Sequence, residues 1–300
     1  QDVGIAVGSH SHVSDSVATL NGTYGIYLSF HSVLIGSTAV QNDEHGVGMY
    51  SGCRVTDCTA SANGWDVVIG SGFYILGENN HLEGCVATRN WEHGFVSAGT
   101  VTTNAVEACT ASENGDSGVG DGFRYFQKVV GCVANNNPGD GISLIDGVCT
   151  ASSAFQNANH GITALFSTVA DCDANSNGAD GIWADDSVVR NNSVALNTDD
   201  GIEVGVGCHV WGNKSAENQD DGIEVGGDGN NIEGNNLYNN LGDAIDTSAA
   251  GGNSILSNRE RGNPGGYNLN LAADTYGRIF AGPGMVNTGV AADHFVNISY

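Results

Sequence analysis

A glycine followed by an apolar residue recurs about every 20 residues through most of the sequence. The pairs that begin at residues 141, 161, 181, 201 and 222 are spaced by 20, 20, 20 and 21 residues. A period near 20 is too short for a pair of helices and matches one coil of a β-solenoid. The pairs are Gly4-Ile5, Gly25-Ile26, Gly46-Val47, Gly72-Phe73, Gly94-Phe95, Gly122-Phe123, Gly141-Ile142, Gly161-Ile162, Gly181-Ile182, Gly201-Ile202, Gly222-Ile223 and, with alanine in place of glycine, Ala244-Ile245.

An asparagine marks the same repeat in a second way. In nine of eleven cases it stands four residues before the Gly-apolar pair, and the exceptions, at 64–71 and 115–121, predict insertions in one loop. We expect asparagine at a turn, because it tolerates the left-handed conformation and stacked amides can bond from coil to coil. The glycine is expected to supply a positive φ or a close backbone approach. The asparagines are Asn21, Asn42, Asn63, Asn90, Asn114, Asn137, Asn157, Asn177, Asn197, Asn218 and Asn240.

After each glycine, apolar and polar residues alternate, as in Ile202-Glu203-Val204. Alternation with period two predicts strands with the apolar residues inward. The sequence therefore predicts an all-β fold, a single-stranded right-handed parallel β-helix of about 12 coils stacked ~4.8 Å apart. We assign 1–258 to the repeats and 259–300 to a C-terminal capping segment.

Five of the eight cysteines share one inward position, five residues before the asparagine. Side chains stacked at the same position of successive coils point in parallel rather than at each other, which disfavours disulfides. We therefore expect free, buried thiols. These residues are Cys58, Cys85, Cys109, Cys132 and Cys172.

These repeats resemble the parallel β-helix superfamily, which includes pectate lyases, polygalacturonases, alginate epimerases and many uncharacterised secreted bacterial proteins. The resemblance covers about 1–258, and the tail resembles the C-terminal segment of such bacterial proteins. Polygalacturonase-like fragments occur at Asn197-Thr198-Asp199-Asp200 and Asn159-His160-Gly161, but in the reverse order and without an R-I-K motif. The D-P-H-E box of alginate epimerases is absent. The resemblance implies the fold and leaves the activity open.

The charge balance, 34 acidic against 9 basic residues, gives a net charge of −25. Such a surface disfavours nucleic acid and anionic membranes and leaves neutral glycans, cations and basic proteins as partners. No apolar run reaches the length of a membrane span. Because the chain begins at Gln1, we expect a mature exported protein that is extracellular or on the cell surface.

The first candidate site is an outward-facing ladder, two residues after each glycine. Glu203, Glu224 and Asp246 are predicted to stack as catalytic carboxylates, at spacings near those of glycosidases. Trp183, Asp185 and Arg124 are the predicted substrate-binding residues. A groove over these rungs, flanked by the loops 64–71 and 115–121, would favour an enzyme. The alternative is that an acidic surface has acidic ladders without function.

The second candidate site is the turn ladder that precedes the glycines. It comprises Asp140, His160, Asp180, Asp200, Asp221 and Asp243. Asp200 and Asp221 of this ladder, together with the residues that precede them, Asp199 and Asp220, form the best predicted ion pocket, and calcium is the cofactor that such oxygen ligands favour. Aspartate before glycine is also ordinary turn chemistry.

Three functional hypotheses follow. The first is an extracellular structural or adhesive solenoid that assembles end to end, because the repeat starts at Gly4-Ile5 with no N-terminal cap. The second is a polysaccharide-binding protein or a glycoside hydrolase or lyase. A lyase needs a basic residue beside its substrate, and no basic cluster is evident. The third is a calcium-dependent module.

Overall fold

The computed structural model describes residues 2–65, 69–98, 103–116, 118–270, 273–280 and 292–299. The chain divides into two compact units, residues 1–159 (unit 1) and 160–300 (unit 2). Each unit is a stack of coils, and each coil contributes one short strand to each of three parallel sheets, called A, B and C. The described residues contain no helix.

Unit 1 has seven described strands in each sheet. Sheet A contains Ile5–Val7, Ile26–Leu28, Val47–Met49, Phe73–Ile75, Phe95–Ser97, Phe123–Arg124 and Ile142–Ile145. Sheet B contains His12–Ser14, Val33–Ile35, Arg54–Thr56, His81–Glu83, Ala105–Glu107, Lys128–Val130 and Val148–Thr150. Sheet C contains Val17–Thr19, Thr38–Val40, Thr59–Ser61, Val86–Thr88, Thr110–Ser112, Val133–Asn135 and Ser153–Phe155.

Unit 2 has six described strands in each sheet. Sheet A contains Ile162–Leu165, Ile182–Asp185, Ile202–Val204, Ile223–Val225, Asp243–Asp246 and Gly266–Asn268. Sheet B contains Thr168–Ala170, Val188–Arg190, His209–Trp211, Asn231–Glu233, Ser254–Leu256 and Thr275–Phe280. Sheet C contains Asp173–Asn175, Ser193–Ala195, Lys214–Ala216, Asn236–Tyr238, Arg259–Arg261 and Ala292–Ser299.

Equivalent positions of the repeat lie directly above one another. In unit 1, Ile26 pairs with Val47 and Phe73 with Phe95. In unit 2, Glu203 pairs with Trp183 on one side and with Glu224 on the other. All described strand pairs within the units are parallel, so the predicted β-helix fold is confirmed.

The interior of each coil is filled by the apolar residues that alternate along the strands. In unit 1 the rings of Phe73, Phe95 and Phe123 stack with centroids 4.7 and 4.8 Å apart, and all three are fully buried. Phenylalanines at the same position of three coils therefore form a continuous column, which holds the coils in register by direct ring contact.

The asparagines form the predicted amide ladder. The Asn42 Nδ2 donates to Oδ1 of Asn63 at 2.8 Å, and the same oxygen accepts the Asn42 backbone N–H at 3.1 Å. The expectation of a left-handed asparagine was wrong, because the positive φ belongs to the preceding residue, such as Gln41 at 54°. The asparagine keeps an ordinary backbone so that its side chain enters the core and satisfies buried backbone groups.

The repeated glycines serve close approach rather than positive φ. A Cβ on Gly25 would stand 2.5 Å from Asn42 Nδ2 and 2.8 Å from the Gly46 carbonyl oxygen, and its φ is not in the left-handed region. Glycine is therefore needed because the amide ladder and the next coil occupy the space of a side chain.

All eight cysteines are buried and free, which confirms the prediction for the five that share one position. Cys109 Sγ accepts the backbone N–H of Cys85 at 3.4 Å, so neighbouring thiols face backbone groups of the adjoining coil. The position is a hydrogen-bonding slot, and in unit 2 asparagines such as Asn192 and Asn213 occupy it in the same way.

Strand pairing continues beyond residue 258. Arg259–Arg261 pairs with Asn236–Tyr238, and Gly266–Asn268 pairs with Asp243–Asp246 with one register shift. The capping role of 259–300 stays a prediction. Among the residues described, no helix has the length and apolar character needed to span a membrane.

Candidate functional site

The turn ladder and the outward ladder meet diagonally. In unit 1 the His45 ring, one residue before Gly46, stacks on Tyr74 of the following coil with centroids 4.1 Å apart. In unit 2 the pKa of Glu203 responds to a hydrogen bond with Asp180, the turn residue of the preceding coil. Each turn residue thus neighbours the outward residue of the next coil, and the two ladders form one surface.

The turn aspartates of unit 2 are anchored by the coil that follows. Oδ1 of Asp180 accepts the Asp200 backbone N–H at 3.1 Å, and Oδ1 of Asp200 accepts that of Asp221 at 2.7 Å. Asp221 in turn accepts the Asp243 N–H at 2.6 Å. These bonds explain why three carboxyls can be only 2%, 3% and 8% exposed, and they fix each carboxyl at the edge of the outward face.

Two diagonal contacts pair one carboxyl with another. Burial and a hydrogen bond shared with Glu224 raise the pKa of Asp200 far above its usual range. Burial and the Asp180 carboxyl raise the pKa of Glu203 to about 7, while a hydrogen bond with Trp183 opposes the shift. Because like charges held this closely repel, each contact favours the protonated form of one of its two carboxyls.

The remaining predicted residues of unit 2 surround these pairs. Asp246 stacks on Glu224 in sheet A, and its carboxyl accepts hydrogen bonds from the Ser248 backbone N–H at 2.6 Å and from Asn268 Nδ2 at 3.1 Å. His160 Nδ1 lies 3.1 Å from Asp180 Oδ2. Asp185 Oδ1 accepts the Val206 N–H at 2.6 Å, which gives it a structural role beside its predicted contact with substrate.

The predicted ion-binding residues also come together. Ligand atoms of Asp180, Asp199 and Asp200 lie within 4.8 Å of one another, as do those of Asp200, Asp220 and Asp221. A third group of Asp221, Asp243 and Asp246 meets the same limit. An all-oxygen set of this kind suits calcium rather than zinc or copper.

Arg124 belongs to unit 1, where its guanidinium contacts His93, Asp121 and Tyr125. The two predicted insertions also contact unit 1: Gly64 N donates to the Asn42 carbonyl in the first, and Gly115 N donates to the Asn90 carbonyl in the second. Residues 66–68 and 117 of these insertions lie outside the described part. The sequence groups Arg124 with Trp183 and Asp185 because all three positions face outward, and in the structure the Arg124 guanidinium contacts His93.

Sequence reasoning missed the carboxyl–carboxyl pairs and did not consider His93. The two ladders were treated as separate sites because their residues stand 23 or more positions apart, as with Asp180 and Glu203. The available signal was the repeat itself, since a turn residue stands 22 to 25 positions before the outward residue of the next coil wherever no insertion intervenes.

The model of the right handed β-helix region matches residues 3–157, and the chain belongs to this family. Its fold is similar to that of the A-module of mannuronan C-5 epimerase AlgE4 from Azotobacter vinelandii, with a TM-score of 0.66 and 16% identity over 90% of this chain and 91% of that one. The AlgE6 A-module from the same organism gives a TM-score of 0.55 and 14% identity, covering 98% and 91% of the two chains. No curated protein matches the sequence with significance.

Proposed function

We propose that unit 2 binds and hydrolyses a polysaccharide at the surface where the two ladders meet. The observation that carries the proposal is the half-buried Glu203, whose carboxyl contacts both Asp180 and Trp183 and whose pKa is raised to about 7. A carboxyl that is part protonated at neutral pH is suited to donate a proton to a glycosidic oxygen. The Trp183 indole beside it offers an apolar face for a sugar ring.

Asp246 is the proposed partner of Glu203. The two stand two rungs apart in sheet A, ~9.6 Å along the stack at ~4.8 Å per rung, near the upper end of the carboxyl separation of inverting enzymes. The two hydrogen bonds donated to Asp246 hold its carboxyl in place, where we propose that it activates a water. Glu224 lies between them and shares a hydrogen bond with Asp200.

The substrate we propose is a neutral glycan. The groups that act on the Glu203 carboxyl are two further carboxyls and an indole, so an anionic sugar would be repelled. The fold is shared with proteins named as epimerases of a polysaccharide, mannuronan, which supports a polysaccharide as the class of ligand. A secreted location fits such a substrate and is part of the proposal.

The test is a screen of neutral polysaccharides for the release of reducing ends. Glu203→Gln is expected to lower kcat by about 10²–10⁴-fold, because the proton donor is removed without a change of shape. Glu233→Gln is the matched control, since Glu233 is a partly exposed glutamate of sheet B in the same unit and should keep full activity. A parent protein without turnover on any neutral glycan would overturn the proposal.

Calcium binding is the second proposed function, favoured by the overlapping aspartate groups at Asp199, Asp200, Asp220 and Asp221. Calcium would replace the shared protons and relieve the repulsion within the cluster. We expect calcium to raise the melting temperature of the parent protein. Asp220→Asn should abolish this rise, whereas Asp173→Asn, on an exposed position of sheet C, should preserve it. An unchanged melting temperature in the parent with calcium or with chelator would exclude the site.

The structural or adhesive hypothesis stays a third proposal and depends on the first coil. Ile5 and Val13 are only partly buried, whereas Ile26 and Leu34 at the same positions of the next coil are fully buried. An apolar strand edge of this kind can take up another coil by strand addition, including one from a second copy. Light scattering over a range of concentrations tests assembly, and a constant monomer mass would contradict it.

A further inference from the structure

The turn around His93 in unit 1 is bordered by the two insertions. On one side the Glu92 N–H donates to the Gly70 carbonyl at 2.9 Å, and on the other the Gly94 N–H donates to the Asp121 carbonyl at 3.0 Å. His93 is 9% exposed, while the Arg124 side chain above it is 36% exposed. A buried histidine and a reachable arginine therefore share the floor of this turn.

The protonation of His93 is set by its neighbours. Its Nδ1 accepts the backbone N–H of Asp121 at 3.0 Å, so this nitrogen carries no proton. Burial and the adjacent Arg124 lower the pKa of His93 to about 4, which leaves a neutral ring at pH 7. The single ring proton therefore lies on Nε2.

This tautomer points two donors at each other. Arg124 Nη1 lies 2.8 Å from His93 Nε2, and both nitrogens carry hydrogen, so neither can accept from the other. The other guanidinium nitrogens are engaged differently: Nη2 donates to the Tyr125 hydroxyl at 3.0 Å, and Nε lies 3.8 Å from Asp121 Oδ2. What the pair lacks is an acceptor placed between Nη1 and Nε2.

We propose that His93 and Arg124 form a binding site for the carboxylate group of a small organic or sugar acid. One carboxylate oxygen would accept from His93 Nε2–H and the other from Arg124 Nη1, with the partly exposed arginine moving outward to admit them. A carboxylate fits better than a phosphate, because Asp121 Oδ2 lies 3.8 Å from Arg124 Nε and would repel a doubly charged anion more strongly than a singly charged one. This site is distinct from the one proposed in unit 2.

Calorimetric titration of the full chain with acetate, D-glucuronate, glucose and inorganic phosphate at low ionic strength tests the proposal. Acetate and glucuronate are expected to bind, and glucose is expected not to bind because it has no carboxylate. Arg124→Gln should weaken carboxylate binding at least tenfold. The matched control is Arg190→Gln, which removes an arginine of unit 2 that also lies over an aromatic ring, Trp211, and near an aspartate, Asp171.

The relative affinities of these ligands distinguish the two kinds of acid. Tighter binding of glucuronate than of acetate identifies a sugar acid, and equal binding identifies a simple carboxylate. The proposal is overturned by phosphate binding more tightly than either, by an equal loss in Arg190→Gln, or by no binding in the parent protein. Independently, nitrogen NMR of His93 should show the neutral Nε2–H form, and a proton on Nδ1 would contradict the geometry.

Discussion

At Gly48 the space of a side chain is taken by Tyr24 of the preceding coil. A Cβ there would stand 2.5 Å from two ring carbons of Tyr24 and 3.0 Å from the Tyr27 ring. Tyr24 is the turn residue before Gly25, so this contact is one more instance of the diagonal between a turn and the next outward position. The glycine at this outward position is therefore explained by the large ring that occupies the space of its side chain.

We predict that Gly48→Ala destabilises the protein by about 1–3 kcal/mol, because Tyr24 must leave its position to make room. Gly8→Ala is the control, since nothing lies within 4 Å of its Cβ and its φ is ordinary, and it should be neutral. Urea unfolding midpoints measure both. Adding Tyr24→Ala to Gly48→Ala should remove most of the clash, and a double variant no better than the sum of its parts would refute the contact.

In the amide ladder, both the oxygen and the nitrogen of the Asn137 side chain are fully used in hydrogen bonds. Asn137 Oδ1 accepts both the backbone N–H and the Nδ2 of Asn114, at 3.0 and 3.2 Å, while its own Nδ2 donates to Ala111 O at 3.2 Å and to Asn157 Oδ1 at 2.9 Å. Replacement of the NH₂ group by an oxygen would set a carboxylate against two acceptors.

Asn137→Asp is therefore expected to lower the free energy of unfolding by about 2–4 kcal/mol at neutral pH, and by less in acid, where a protonated carboxyl can donate again. Asn136→Asp provides the comparison one residue away, at an exposed left-handed position that aspartate tolerates. Chemical denaturation at pH 4 and pH 7 gives the measurement. Equal losses for the two variants would show that the ladder contributes nothing specific.

At the scale of the strand and the turn, the sequence predicted the contacts between residues of the same ladder. It did not predict the contacts between the turn ladder and the outward ladder. Glu203 over Trp183 and Cys85 beside Cys109 follow from the repeat, because equal positions must stack. The pairing of Asp180 with Glu203 depends on how a side chain leans toward the adjoining coil, and spacing along the chain carries no such direction. For the same reason the sequence did not predict the contact between His93 and Arg124, which an insertion separates along the chain.

The carboxyl pairs make the stability of the protein depend on pH. Burial raises the pKa of Asp221 to about 7, and the pKa of Glu203 is also about 7. The carboxyls of an unfolded chain titrate at about 4. At Asp221 and Glu203 the native state binds more protons than the unfolded state, so these carboxyls make the free energy of unfolding fall as pH rises from about 4 to about 7. His45 and His93, whose pKa burial lowers to about 4, act in the opposite direction but are fewer than the raised carboxyls. In chelator the protein should be most stable near the acidic end of that window.

Unfolding in urea at pH 5 and pH 7.5, with chelator present, checks this slope. Asp221→Asn should flatten it, because asparagine holds no proton to lose, and Asp173→Asn should leave it unchanged. Added calcium is expected to reduce or reverse the slope, since calcium binds the ionised carboxylates. A stability that rises with pH in chelator would contradict the pairing of carboxyls.

At the scale of the whole molecule, the reactivity of the eight buried thiols tests whether the coils stay packed. They are distributed through both units, and no disulfide joins any of them. We predict that a thiol reagent modifies none of them in the native protein and all eight in denaturant, because each sulfur is shielded by neighbouring coils. Reductant should leave the melting temperature unchanged, and rapid native modification of several thiols would mean that coils open locally.

The amide ladder of each unit also has a polarity. In unit 1 every rung from Asn21 to Asn137 donates its Nδ2 to the rung that follows, and in unit 2 the same direction holds from Asn197 to Asn240. Aligned amide dipoles add, as peptide dipoles do in a helix. A transplanted coil must therefore present its acceptor toward the earlier rung and its donor toward the later one, so coils can be exchanged between such proteins only in one orientation.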